Sequence, residues 1–153
     1  MNTLVVYFSK FGNTQKIAEA IAKTFESAGG VRLLPSDRLE KTDLEKCDLV
    51  VMGSPTHKMN LPKEVRPVFE RLPKKILRGK FVAAFDTSYQ MSTFMARFTA
   101  AKRLDQKLRR LGGKRAVRPE TFLVTGRKGP LFNGEIERAG VWAHTILKRL
   151  TQA

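Results

Sequence analysis

A doubly wound α/β fold, one parallel sheet between two layers of helices, is what this chain predicts, and three observations predict it. Five apolar runs recur along the sequence: Leu4–Phe8, Val31–Leu34, Leu49–Met52, Phe81–Phe85 and Ala116–Val124. Within them apolar residues are continuous rather than alternating, as suits parallel strands covered on both faces. Amphipathic segments separate the runs, so the chain reads β-α-β-(short α)-β-α-β-α-β-α, an order that right-handed crossovers wind into a three-layer, five-stranded sheet. With 153 residues, 42% of them hydrophobic, the chain can bury a real core, and one domain over 1–153 is expected.

Each helical segment carries its own signature. In Gln15–Ala28 the residues Ile17, Ala20, Ile21, Thr24, Phe25 and Ala28 form one stripe, and Gly29-Gly30 ends it. Pro35–Lys46 leaves room for one irregular helix around Asp43-Leu44-Glu45. Leu61–Leu72 places Pro62 at a first turn and Val65, Val68, Phe69 and Leu72 on one side, with Pro67 expected to bend it. Phe98, Ala101, Leu104, Asp105, Leu108 and Leu111 mark the next, with Arg103, Lys107 and Arg110 on its wet face. The last, Glu135–Leu150, is expected to bury Ile136, Ala139, Ala143, Ile146 and Leu150, and Trp142 and Phe25 are read as core residues.

The first strand run breaks on Ser9-Lys10-Phe11-Gly12-Asn13-Thr14 and restarts as a helix. Backbone N–H groups at such a turn point at one spot, and the helix dipole adds to their field, which makes an anion site. Ser9 and Thr14 supply hydroxyls, and Gly12 lets the backbone approach a ligand. A phosphate is the natural guest, although Asn13 or Thr14 could equally serve as an ordinary helix cap. Neither a Gly-x-Gly-x-x-Gly pattern nor a Gly-Lys-Ser/Thr follows, which argues against dinucleotide and nucleoside triphosphate. Ligands of open parallel sheets sit beyond the carboxyl ends of the strands. The third and fourth runs end there in further polar turns, Gly53–Asn60, with Ser54, Pro55, Thr56, His57, Lys58 and Met59, and Asp86–Ser92, with Thr87, Ser88, Tyr89, Gln90 and Met91.

With these turns the chain resembles the short-chain flavodoxin-like proteins. Ser9–Thr14 is similar to that family's FMN phosphate loop, Gly53-Ser54-Pro55-Thr56 to its second flavin loop, and Thr87–Met91 to its third. The resemblance implies strand order 2-1-3-4-5, noncovalently bound FMN and electron transfer. It implies a cofactor site made of Ser9, Lys10, Phe11, Gly12, Asn13, Thr14, Ser54, Pro55, Thr56, His57, Lys58, Met59, Asp86, Thr87, Ser88, Tyr89, Gln90 and Met91. The chain departs from the family in three places. Phe11 stands where a hydroxyl residue is usual, His57 stands where an aromatic often covers the flavin ring, and an acidic surface is missing.

No paired carboxylates, metal-ligand cluster or nucleophile triad appears, so any reaction must be carried by the cofactor. A flavin redox carrier is the favoured function. The alternatives are an NAD(P)H:quinone-type oxidoreductase and a basic interaction module that has lost its flavin. Net charge is +15, from 29 basic and 14 acidic residues, and Arg97–Arg118 holds nine Lys or Arg against Asp105 alone. That field predicts an acidic redox partner and easier reduction of the flavin. The scarcity of aromatics among these charges argues against specific nucleic-acid recognition. His144 is expected to be structural or solvent-facing. Cys47 cannot pair internally, and no apolar stretch reaches membrane-span length, so a cytoplasmic protein is expected.

Overall fold

Alternation within single strands divides the interior into two cores. In β1 (Asn2–Tyr7), β3 (Leu49–Pro55) and β4 (Phe81–Ser88), residues Leu4, Val6, Val50, Met52, Val82 and Ala84 feed one core. Their neighbours Val5, Leu49, Val51, Ala83 and Phe85 feed the other, because successive side chains of a strand point to opposite faces. The computed structural model describes residues 1–57, 60–89 and 99–152. Its sheet is parallel throughout, with β2 (Gly30–Pro35) outside β1 and the order β2-β1-β3-β4.

The fifth position holds two pieces, β5 (Lys114–Arg115) and β6 (Glu120–Leu123), both paired with β4. The order 2-1-3-4-5 is therefore as the sequence implied, but Ala116–Val124 is not one continuous strand. Val82 pairs with Arg115 and Phe85 with Glu120, so five steps on one side face three on the other. The surplus bulges out at 116–119, where Pro119 has no N–H to offer a ladder. β2 also differs from the expectation of two-sided burial, since as an edge strand it leaves Leu33 37% exposed.

Helix α1 (Asn13–Phe25) continues as a 3-10 turn over Glu26–Ala28, and α5 (Glu135–Thr151) lies beside it on the same face of the sheet. Phe25 is fully buried there, which stabilises the fold by roughly 1.5–3 kcal/mol. Trp142 meets Phe85 and Phe122 edge-on, with centroids 6.0 and 6.1 Å away. Both residues thus belong to the core, while Ile136, expected inside, is 40% exposed. His144 faces solvent, with Nδ1 3.0 Å from the Gly140 carbonyl.

The opposite face carries α2 (Lys41–Glu45), α3 (Arg66–Glu70) and α4 (Ala100–Arg110). Pro67 starts α3 rather than bending a longer helix, and a 3-10 turn over Lys63–Val65 precedes it. Thr99 caps α4 by accepting the Lys102 N–H, and Asp105, buried on the inner stripe, is held by Arg115 and Arg109. Phe98, expected to open that helix, lies outside the described residues.

Candidate functional site

The turn between β1 and α1 owes its shape to two residues. Gly12 sits at φ +91° as the N-cap, with no atom within 4 Å of where a Cβ would stand. The Ser9 Oγ accepts the N–H groups of Gly12 at 3.1 Å and Gln15 at 3.3 Å. Neither Asn13 nor Thr14 is the cap. The first N–H groups of a helix have no carbonyl one turn behind them, which leaves those of Asn13 and Thr14 free to meet a ligand. No acidic residue stands in the first turn of α1 to compete for that role.

Asn13 and Thr14 are both buried, and each reaches to another loop. The Asn13 Nδ2 donates to the Lys128 carbonyl at 3.1 Å, clamping the segment after β6 onto the start of α1. The Thr14 Oγ1 lies 2.8 Å from the Thr87 Oγ1, tying the first turn to the end of β4. At the end of β3, the Thr56 N–H donates to the Thr87 carbonyl at 3.0 Å, and His57 and Asn60 exchange backbone bonds of 2.8 and 2.9 Å. Three turns far apart in sequence are thereby fastened together at the carboxyl edge of the sheet.

Between them opens a cleft of about 290 Å³. Ser9, Lys10, Phe11, Asn13 and Thr14 line one end; Pro55, Thr56 and His57, with Thr87, Ser88 and Tyr89, line the other. Val124 and Arg127 complete the wall. Neither was among the residues expected at the site: Val124 closes the fifth apolar run, and Arg127 follows it in a loop with no motif of its own. The topology was a usable signal, because a loop that follows the fifth strand opens at the same edge as the others. Phe11, 45% exposed, lays its ring beside two ammonium groups, with Lys10 Nζ 6.0 Å and Lys128 Nζ 5.9 Å from its centroid.

Ser54 and Asp86 lie beneath the cleft instead of on its surface, each fully buried. The Ser54 Oγ donates to the Pro55 carbonyl at 2.9 Å. Asp86 accepts the Thr56 hydroxyl through Oδ2, while Thr56 in turn accepts the Ala100 N–H at 2.9 Å, and the Asp86 Oδ1 has no partner among the described residues. Burial, partly offset by the nearby Thr121 and Thr56 side chains and the Ala100 and Ala101 N–H groups, pushes the Asp86 carboxyl up to about 6. Through Thr56 it is bonded to the loop that follows β3. Lys58, Met59, Gln90 and Met91 lie outside the described residues.

Among the described residues no three His, Cys, Asp or Glu gather as a metal site, and no helix is long and apolar enough to cross a membrane. The Cys47 thiol is buried, donates to the Leu44 carbonyl at 3.3 Å and is pushed up by burial to about 11, which keeps it protonated.

A converging set of N–H and hydroxyl donors beside a proline- and tyrosine-flanked slot, at the carboxyl edge of this sheet, defines a flavodoxin-fold nucleotide-binding protein. The flavodoxin domain family matches residues 4–126, and the chain belongs to that family, whose members bind FMN and transfer electrons. Along 158 residues it is 25% identical to a flavodoxin of Clostridium saccharobutylicum, with 99% of each chain covered. In structure it is similar to flavodoxin 2 of Bacillus cereus, with TM-score 0.80, 20% identity and 97% and 99% of the two chains covered. A flavodoxin from the domain Archaea gives TM-score 0.78 at 20% identity, with 99% of each chain covered. The donor set suits the family's cofactor: free helix-start N–H groups and the Thr14 hydroxyl fit a phosphate monoester, and Gly12 leaves it room.

Proposed function

We propose that the chain carries electrons on one FMN, with the phosphate at 9–14 and the ring between the loops that bear Pro55, Thr56 and His57 and Thr87, Ser88 and Tyr89. Lys58, Met59, Gln90 and Met91 join this assignment through the resemblance alone. The observation that carries the reading is the cleft itself, in which the three turns are bonded to one another at one edge of the sheet. When bound, the flavin supplies the redox chemistry; the protein positions it and sets its surroundings. The match to the flavodoxin domain family and to a full-length flavodoxin relative favours a carrier over a nicotinamide-dependent reductase.

The partner is read as an acidic redox protein, because Lys10, Arg127 and Lys128 stand at the cleft where a flavin would be approached. The lone buried cysteine suits the cytoplasm. The test is the absorption spectrum of protein purified without added flavin, followed by anaerobic mixing with nicotinamide cofactors. Yellow protein that does not bleach on mixing is expected. Colourless protein that cannot be reconstituted with FMN would leave only the basic interaction module, and rapid bleaching by a nicotinamide would make the chain a reductase.

A further inference from the structure

Beyond Lys10 of the first turn, the charge at the cleft comes from a segment that no flavin loop accounts for. Arg127 shares the cleft wall with Ser9, Lys10, Asn13 and Thr14. Its neighbour Lys128 holds its ammonium beside the Phe11 ring, as Lys10 does from the other direction. The loop that presents them is fixed. Thr125 donates to the Pro130 carbonyl through both its N–H and its Oγ1, each at 2.8 Å, and the Gly129 N–H donates to the Gly126 carbonyl at 3.0 Å. Asn13 holds the Lys128 carbonyl, and a Cβ at Gly129 would stand 2.5 Å from the Asn13 Oδ1. The loop therefore packs directly on the first residue of α1.

Among the described residues, Lys10, Arg127 and Lys128 form no ion pair, whereas Arg32, Arg109, Arg115 and Arg138 each hold a carboxylate. Three unpaired cations beside the positive end of a helix repel one another, and a dianion between them would remove that repulsion. We infer that the loop over 125–130 is a cationic wall of the phosphate seat, in which Arg127 and Lys128, together with Lys10, bind the FMN phosphate. This rests on the FMN reading above. It also accounts for Phe11, where a hydroxyl donor is replaced by a ring that seats two ammonium groups. A phosphate monoester carries close to two negative charges at neutral pH, which three cations and the α1 N–H groups can satisfy. A consequence is that selectivity for FMN over riboflavin depends on ionic strength.

The test uses the whole protein stripped of flavin and titrated with FMN and with riboflavin, read by quenching of flavin fluorescence, at low and high salt. Arg127→Gln and Lys128→Gln are expected each to weaken FMN about tenfold and to flatten its salt dependence, with riboflavin unaffected. A remote pair of equal charge change, Arg110→Gln with Lys114→Gln, is expected to leave FMN binding as it was. Phe11→Leu should weaken FMN and Phe11→Tyr should retain it, since only the aromatic ring attracts the ammonium groups. Tight FMN binding that survives both Arg127→Gln and Lys128→Gln, or that falls equally in the remote pair, overturns the cationic wall while leaving the flavin reading intact. If the unaltered protein binds neither FMN nor riboflavin, both readings fall.

Discussion

Thr14 and Asp86 sit within one bonded patch yet answer to opposite pressures. The Thr14 hydroxyl lines the cleft and is bonded to that of Thr87, and the proposed FMN site puts the phosphate beside it. Replacing it with Ala should weaken FMN by roughly 1.5–3 kcal/mol, the usual worth of a hydrogen bond to a charged group. Calorimetry on FMN and riboflavin side by side checks this, since the loss should be confined to FMN. Asp86 is a carboxyl kept dry, with one oxygen bonded to Thr56 and the other unpartnered. Burial raises its carboxyl from the ordinary 3.8 to about 6 in the folded protein. The folded protein thus holds the proton more tightly than the unfolded chain does. Asp86's contribution to stability is full below about pH 4 and is lost as pH rises through about 6, a span of about 3 kcal/mol. Denaturant unfolding of Asp86→Asn should show a flatter pH profile than the parent across that window. An identical slope in the two proteins would show that Asp86 is not the titrating group.

At the level of elements, the close approaches in this fold are made by glycine. Gly53, inside β3, lies under the Phe85 ring, and a Cβ there would come within 2.0 Å of it. Phe85 belongs to a mutually contacting trio of rings with Phe122 and Trp142. Gly53→Ala should therefore destabilise the protein by about 1–3 kcal/mol through overpacking, read as a lower thermal midpoint with loss of near-ultraviolet dichroism. The inner strands β1, β3 and β4 were legible because their continuous apolar runs mark two-sided burial, which the edge strand β2 does not share, and α1 and α5 were legible from their stripes. The bulge in the fifth position was not, since Ala116, Val117, Phe122 and Val124 look alike on paper and pairing with β4 alone decides which of them join the ladder. For the same reason the loop after β6 went unread as part of the cleft. Its role depends on contacts between Asn13 and Lys128, residues more than a hundred positions apart. The anion turn could be read directly because its geometry is local, whereas the burial of Ser54 and Asp86 is a tertiary outcome.

Over the whole molecule, two groups of basic residues lie at opposite ends of β4. Leu77 donates to the Leu111 carbonyl at 3.0 Å and Lys114 to that of Lys80 at 2.9 Å, which brings the basic stretches around 74–80 and 103–115 together. They meet at the amino end of β4, where Phe81 faces Lys114. The cleft is at the other end, six residues along that strand and so about 20 Å away. Across that distance one charge is screened to under about 0.1 kcal/mol at physiological salt. Much of the cluster expected to ease flavin reduction is thus too far off to do so. Lys10 is not, because it lines the cleft. A cation about 10 Å from the ring stabilises a negative reduced flavin by about 0.4–1.7 kcal/mol before screening, and 1.4 kcal/mol is about 59 mV for one electron. Lys10→Glu should lower the midpoint potential at low salt, while Lys114→Glu should leave it in place. Potentiometric titration of the two variants decides the matter, and a shift of equal size in both would mean that net charge acts as a whole.

The interrupted fifth position makes the two margins of the sheet unequal. On the β5 side another strand would find two paired residues, both cationic, then a bulge and a proline, then the four residues of β6, where Leu131 already bridges to Val124 and Phe132 donates to the Leu123 carbonyl. On the β2 side it would find six unbroken residues with Leu33 partly bare. Strand addition between copies, the first step of edge-to-edge aggregation, therefore has one open margin, and Arg32 is the charge stationed along it. What guards this protein against growing into a longer sheet is an irregularity on one flank and little more than one arginine on the other.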